Sequence, residues 1–333
     1  MTPRLAAVVV ALALLPSLAF AQDLGKQDLG KQDRGKQDRS KPIRVILATG
    51  VGGTADVFMR VIGEEYHRRF GRPFVIENRA GGGMNIGGRA CAEAPNDGST
   101  ICSLPNPVFT YNLFLYKRLP YDPERFEPIT NPFFNTQLMV VSTALGVSSL
   151  DELAALSKAK PGTLSYAVPS EPLSLFMDWW RTAHGADLVR VPFKGGGDSV
   201  NAMLSGATPV AFFGIGNWLP HLVAGSVRPL AVDGDHRSPL VPEVPTVREL
   251  GYTADMTRTY FGLVAPPGTP RPVIAELYQQ IATIGRDPEF RRKRLVEVGL
   301  EPVFDTPEEF GRFLKEDRAR SERIVKAAGQ LPQ

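Results

Sequence analysis

The sequence predicts an α/β protein made of two successive units, and three observations carry that reading. Short apolar runs alternate with segments of helical spacing along most of the chain. Glycine-rich turns follow several of those runs, as they do where a strand hands over to a helix. The 333 residues are more than one core needs, at about 150 residues per domain. Apolar residues make up 43% and charged residues 22%, a balance that allows a sizeable core in a soluble chain.

The first 21 residues stand apart. Arg4 is a short positive region, residues 5–15 are an unbroken apolar run, and Ala19-Phe20-Ala21 fits a small-x-small cleavage site. This reads as a secretory signal peptide cut after Ala21, because the run is shorter than the roughly 20 apolar residues of a membrane span. Residues 22–41 repeat QDLGK, QDLGK, QDRGK and QDRSK, with almost nothing to bury, so a disordered linker is expected there.

From residue 42 the elements follow in order. Residues 43–47 are a strand, the turn ATGVGG follows, and Val57, Val61, Ile62, Tyr66 and Phe70 mark a helix. Residues 73–77 are the next strand, AGGGMNIGG at 80–88 a second glycine-rich turn, 86–94 a helix stopped by Pro95, and 101–104 a strand. The middle region repeats this grammar, with strands at 164–168, 188–192, 208–213 and 228–232. Helices fall between them at 150–157, 175–184, 199–205 and 218–224. The last third is helical over 270–286, 289–298 and 306–328. The final helix opens on Thr306 as N-cap, with Pro307 at the first position and Glu309 at the third. Ligands of open α/β sheets bind at the carboxyl ends of strands, so a cleft between the two units is the expected site.

Charge and motifs narrow the function. The repeat holds six basic and four acidic residues, and residues 42–333 hold 31 of each sign. A neutral folded part argues against nucleic-acid or membrane-surface partners. The sequence contains no G-x-S-x-G elbow and no G-x-x-x-x-G-K-[ST] loop, and GVGGTAD at 50–56 is not G-x-G-x-x-G. The four histidines are scattered, so no metal and no cofactor is expected. Cys91 and Cys102 fall late in a helix and in the next strand. An exported chain allows a bridge between them, and two buried thiols are the alternative. What remains are glycine-rich turns at helix N-termini, which serve equally as structural turns or as carboxylate traps.

KPIRVIL at 41–47, VIENRAGGGMNIGGRACAEAPNDGST at 75–100 and LYKRLPYDPERFEPI at 115–129 resemble segments of the Bug family, the periplasmic receptors of tripartite tricarboxylate transporters. KPIRVIL followed by Gly52, Gly53 and Asp56 is similar to the family's first strand and loop. VIENRAGGGMNIGGRACAEAPNDGST is similar to its V-x-ENR-x-GAGG-x-IG…A-x-PDG-x-T signature. LYKRLPYDPERFEPI, VPFKGGGDSVNAMLSGATPVAFF, PHLVAGSVRPLAV, VPEVPTVRELGY, FGLVAPPGTP and GLEPVFDTPEEF fit further family segments, over about 290 residues.

The resemblance implies a two-domain periplasmic-binding-protein fold, type II-like, with two crossover strands at 138–142 and 261–265 and a ligand cleft between the domains. Domain one would combine 42–140 with 264–333, and domain two would be 141–263. It implies a monomeric periplasmic Venus-flytrap receptor, not an enzyme, that hands a small organic acid, amino acid or amide to membrane permease subunits. A ligand-sensing adaptor for a sensor kinase and an exported enzyme are the alternatives. The ligand would be held by Gly50, Val51, Gly52, Gly53, Thr54 and Asp56, by Gly83 and Asn85, and by Ser103, Pro105 and Asn106 from domain one. Ser170, Glu171, Leu173, Ser174, Lys194 and Gly195 would close on it from domain two.

This chain departs from the family at two loops. Ala48, Thr49, Gly50 and Val51 replace Pro-Phe-x-Pro, and residues 168–173 (VPSEPL) replace Ser-x-Gly-x-Gly-Ser/Thr. Facing the ligand, an acid at Glu171 would disfavour a second carboxylate, with Leu173 and Phe176 offering apolar bulk; a Glu171 side chain pointing to solvent is the alternative.

Overall fold

In the computed structural model, which describes residues 41–193, 196–234, 236–252 and 256–332, strands and helices alternate as the apolar runs predict. The signal peptide and nearly all of the repeat lie outside the described residues, as do Lys194 and Gly195. The strands are β1 Ile43–Leu47, β2 Phe74–Asn78, β3 Thr100–Pro105, β4 Glu127–Thr130, β5 Phe133–Asn135, β6 Gln137–Ser142, β7 Leu164–Ala167, β8 Leu188–Val191, β9 Val210–Gly214, β10 Val227–Val232, β11 Phe261–Ala265 and β12 Leu300–Pro302. The helices are α1 Thr54–Phe70, α2 Asn85–Ala92, α3 Asn106–Phe109, α4 Asn112–Leu115, α5 Leu150–Ala159, α6 Glu171–His184, α7 Gly196–Leu204, α8 Leu219–Val223, α9 Arg271–Gly285, α10 Pro288–Arg294 and α11 Pro307–Ala327.

The strands form two five-stranded sheets. The first has the order β2-β1-β3-β11-β4 and the second β10-β6-β9-β7-β8. In the first, β1 runs parallel to β2 and β3, and β11 runs against β3 and β4. In the second, β7 runs parallel to β8 and β9, and β6 runs against β9 and β10. Each sheet is covered on both faces, which is why its central strands read as unbroken apolar runs. Along β1, Ile43, Val45 and Leu47 pack with Phe58, Ile62 and Tyr66 of α1 and Ile281 of α9. Ile46 and Ala48 face the other way, toward Cys102, Leu104, Phe109 and Phe310. The second sheet is sandwiched alike: Met139, Val141 and Tyr166 meet Phe176 and Trp180 of α6 on one side, and Leu138, Val140 and Phe213 meet Trp218 on the other. At about 1.5–3 kcal/mol for each fully buried large apolar side chain, these layers dominate the stability of each lobe.

The final helix starts where the sequence places it. Thr306 accepts from the Glu309 N–H, and the Glu309 carboxylate accepts in return from the Thr306 N–H, a complete capping box. The stretch 289–298, expected as one helix, splits into α10 and a 3-10 turn at 296–298 before Gly299. Cys91 at the end of α2 and Cys102 on β3 are joined by a disulfide with Cα atoms 6.1 Å apart.

The chain passes between the sheets twice, and earlier than expected at both places. The runs at 138–142 and 261–265 do not cross: β6 lies wholly in the second sheet and β11 wholly in the first. The crossings are at 131–136 and 256–260. An apolar run has the same appearance whichever sheet it enters, so the sequence could not say on which side of it the chain changes lobe. The outgoing crossing carries β5, which pairs with β12 through Asn135 and Leu300. A bridge between Phe134 and Tyr260 ties the two crossings together.

Candidate functional site

Strand direction fixes where the site can be. Pro105, ending β3, opposes Phe261, where the chain has just returned from the second sheet. β1, β2 and β4 run the same way as β3, so their carboxyl ends also face the crossings. In the second sheet Gly214, ending β9, opposes Gln137, where the chain has just entered. β7, β8 and β10 point the same way. The turns after the parallel strands of both lobes therefore converge on the space beside the crossings.

The lobes touch there. Leu175, in the second turn of α6, is buried against Tyr111, Leu115 and Val325 of the first lobe. Nearer the crossings, the turn after β9 meets the turn before β12 so closely that a Cβ on Gly216 would lie 2.6 Å from the Val298 carbonyl oxygen. On the returning crossing, the Thr257 hydroxyl lies 2.8 Å from the Tyr111 hydroxyl and accepts a long bond from Asn106 Nδ2 at 3.4 Å.

In the first lobe the 48–54 turn is held by Asp56. Its carboxylate accepts from the Gly52 N–H at 2.9 Å and from two guanidinium nitrogens of Arg60 at 3.1 and 2.9 Å. Burial pushes this carboxyl up, but the bonds from Arg60, Gly52 and Asn78 outweigh that and hold it below the usual range. Asp56 thus shapes the turn, while Gly50 and Val51 are exposed at its tip, and Gly53 and Thr54 are half-buried where α1 begins.

Asn85 is likewise engaged within its lobe. Its Oδ1 accepts from Asn112 Nδ2 at 2.7 Å and from the Tyr121 hydroxyl at 2.8 Å, while Asn112 also donates to the Gly83 carbonyl. Helix α2 comes so close to β1 that a Cβ on Gly87 would lie 2.4 Å from the Ala48 Cα. Asn106 is buried, and its N–H donates to the Tyr260 carbonyl. Two hydroxyls at this end stand out: Ser103 Oγ and Thr49 Oγ1 are buried without a hydrogen-bond partner among the described residues.

In the second lobe Ser170 is the N-cap of α6 and its side chain makes no capping bond. Pro169 and Pro172 remove two N–H donors from this helix start. Glu171 pairs with Arg190 of β8 at 3.3 Å, both side chains about two-fifths exposed. Leu173 and Phe176, expected to offer apolar bulk to a ligand, turn instead into the lobe's own core, at 1% and 3% exposure. They continue the helical apolar stripe that covers the sheet, so helix packing claims them. Ser174 in the first turn of α6 and Ser199 in the first turn of α7 are both fully buried, and their hydroxyls have no hydrogen-bond partner among the described residues.

Sequence reasoning thus missed Thr49, Tyr111, Leu175, Arg190, Ser199 and Thr257. Thr49 and Ser199 carried a signal, as hydroxyls within or just after a glycine-rich turn. No group of three or more His, Cys, Asp or Glu able to hold a metal occurs among the described residues. A surface groove of about 870 Å³ lies elsewhere, at the opposite end of the first sheet between residues 123–128, Pro267, Gly268 and α11.

Two α/β lobes joined by two crossings, with helix starts from both converging beside them, define a ligand receptor of the periplasmic-binding type. Residues 58–330 match the model of the tripartite tricarboxylate transporter family receptor, TctC, and the chain belongs to that family. Among its relatives is Protein BugT of Bordetella pertussis, 30% identical over 297 residues that cover 87% of this chain and 90% of BugT. An R. palustris protein solved with adipate superposes with a TM-score of 0.81 at 28% identity, covering 88% of this chain and 99% of that one. The periplasmic binding protein BugD superposes at 0.79 with 27% identity, covering 88% and 99%. The family resemblance and fold class expected from the sequence are thereby borne out.

Proposed function

We propose that this chain is exported, cleaved after Ala21, and works in the periplasm as a monomeric receptor that captures a small organic acid for membrane permease subunits. The observation that carries the ligand site is the set of buried hydroxyls without a partner among the described residues at the facing strand ends and helix starts, Thr49 and Ser103 on one lobe and Ser174 and Ser199 on the other. Leaving such a group unpaired costs about 1–3 kcal/mol, which a ligand's acceptor atoms can recover. The start of α1 adds N–H donors and the positive end of a 17-residue helix, suited to a carboxylate. The adipate held by the R. palustris relative supports a small carboxylate as the ligand class.

The lobes, divided at the crossings, close on the ligand by turning about 131–136 and 256–260. Gly50, Val51, Gly53, Thr54 and Ser103 take the carboxylate, and Asp56, Gly52, Gly83, Asn85, Pro105 and Asn106 hold that wall in shape. Ser170, Ser174, Lys194 and Gly195 meet the distal end. Because two prolines thin out the donors at α6 and Glu171 adds an acid beside Arg190, a monocarboxylate with an amino or amide end suits the second lobe better than a dicarboxylate.

A thermal-shift screen of the mature protein against mono- and dicarboxylates, amino acids and amides tests this. At a hundredfold excess over Kd a ligand adds about 2.7 kcal/mol of stability. The expected result is a hit among the carboxylates that Ser103→Ala weakens. Best binding by simple dicarboxylates, unchanged in Glu171→Gly, would sink the specificity reading. No hit among folded, ligand-free protein would sink the receptor reading for these classes.

A further inference from the structure

The crossings carry buried charge that ligand capture does not use. Asp233 follows β10 directly and is buried. Its Oδ1 accepts from the Gln137 N–H at 2.8 Å, and its own N–H donates to the Gln137 carbonyl at 3.1 Å. These bonds fasten the end of β10 to the first residue of β6, where the outgoing crossing enters the second lobe. Asp233 Oδ2 has no hydrogen-bond partner among the described residues, and neither has Gln137 Oε1.

The charges around Asp233 come from other elements. Arg258, on the returning crossing, stacks its guanidinium 4.0 Å over the ring of Phe134 on the outgoing one. Its Nη1 and Nη2 both go to Glu301 of β12, at 3.1 and 2.5 Å, and its buried Nε is unpartnered among the described residues. Glu301 also takes Nε2 of the exposed His236 at 3.3 Å. Glu301 thus holds the fork of Arg258, and Asp233 is left a buried carboxyl with a single donor from another residue among the described residues. Burial pushes the Asp233 carboxyl up to about 7, against the Gln137 N–H and the Arg258 charge, while Glu301 pushes it further up. Glu301 itself is also lifted by burial, but Arg258 more than offsets this and holds it below the usual range.

We propose that Asp233 is a proton-linked latch of the hinge, binding a proton when the lobes close and releasing it to solvent when they open. The latch rests on the two-lobed receptor reading, in which the segments holding Asp233, Arg258 and Glu301 shift against one another. An opened hinge exposes Asp233 to water, where an aspartate titrates near 4. Between that value and about 7, closing takes up a proton, so each pH unit lowered favours the closed form by up to about tenfold. Ligand affinity follows the same sign.

Small-angle X-ray scattering on the ligand-free mature protein, from pH 5 to pH 8.5 at constant salt, reads this directly. The wild type should be compact at the acid end and expand toward the alkaline end. Asp233→Asn keeps the oxygen for the Gln137 N–H and adds an N–H donor, so it should stay compact throughout. His236→Gln should respond as the wild type does. Dimensions independent of pH in the wild type, or the same expansion in Asp233→Asn, would overturn the latch. Should the Asn variant not fold, carbon NMR of the Asp233 carboxyl decides: a midpoint near 7 supports the latch and one near 4 overturns it. Proton uptake on adding adipate, measured calorimetrically in two buffers, is a separate arm. If neither adipate nor any monocarboxylate, amino acid or amide of the screen binds, the ligand reading fails while the scattering result stands.

Discussion

Asp56 illustrates how an acid beside an expected anion site serves the site without touching the anion. Both of its oxygens are engaged, by Gly52 and Arg60, inside a turn whose tip is exposed. Asp56→Ala should therefore lower stability by about 1–3 kcal/mol in urea unfolding, because it removes the charged acceptor of the Gly52 and Arg60 bonds, and should weaken ligand binding through a loosened turn. Unchanged stability would show that the carboxylate does not hold the turn. The sequence revealed an acid in the first helical turn, since helix spacing is local. It did not reveal the N–H that acid accepts from, since that depends on how the chain folds back. Glu171 is a stronger case. Its partner Arg190 sits 19 residues on, in a strand, and nothing in either local pattern joins them.

The disulfide couples two neighbouring elements of the first lobe. It ties α2, whose start carries Asn85, to β3, whose end carries Ser103. Closing a loop of 11 residues removes unfolded-state freedom worth about 3 kcal/mol. Replacing Cys91 and Cys102 by Ser should lower stability by roughly that amount in denaturant, and a loss under 1 kcal/mol would contradict the bridge. Across the lobes, Leu175 packs on Tyr111 and Leu115. Leu175→Ala should weaken ligand binding more than it weakens folding, because the contact forms only when the lobes meet, and calorimetry beside urea unfolding separates the two. Strands, helices and the capping box were legible because they follow from periods of two and 3.6 and from one N-cap pattern. The crossings were not, since they are defined by which strand each run pairs with. The inward turn of Leu173 and Phe176 was readable in principle: both belong to the apolar stripe of α6.

The pH dependence of the whole molecule is set by two opposed groups of acids. Burial pushes Asp233 up to about 7 and Asp305 and Asp317 up to about 6. Relative to an unfolded chain, such groups favour the folded state fully below about pH 4 and lose that contribution as pH rises through 6 and 7. The second group is held below the usual carboxylate range by partners: Glu77 by Arg44, Glu65 by Arg68, Asp287 by the Phe290 N–H and Arg69, and Glu309 by the Thr306 N–H. These contribute above their unfolded values, about 4, and lose it as pH falls further. The two limbs cross in mildly acid solution. The urea midpoint of the mature protein should therefore be highest near pH 5 and fall toward both pH 3 and pH 8. Asp317 takes only the Tyr260 hydroxyl on Oδ2, and its Oδ1 has no partner among the described residues. Combining Asp233→Asn with Asp317→Asn should thus flatten the alkaline limb and leave the acid limb in place. A wild-type midpoint that is level from pH 5 to pH 8, or a double variant that falls as steeply, would show that these buried carboxyls ionise without cost to the fold.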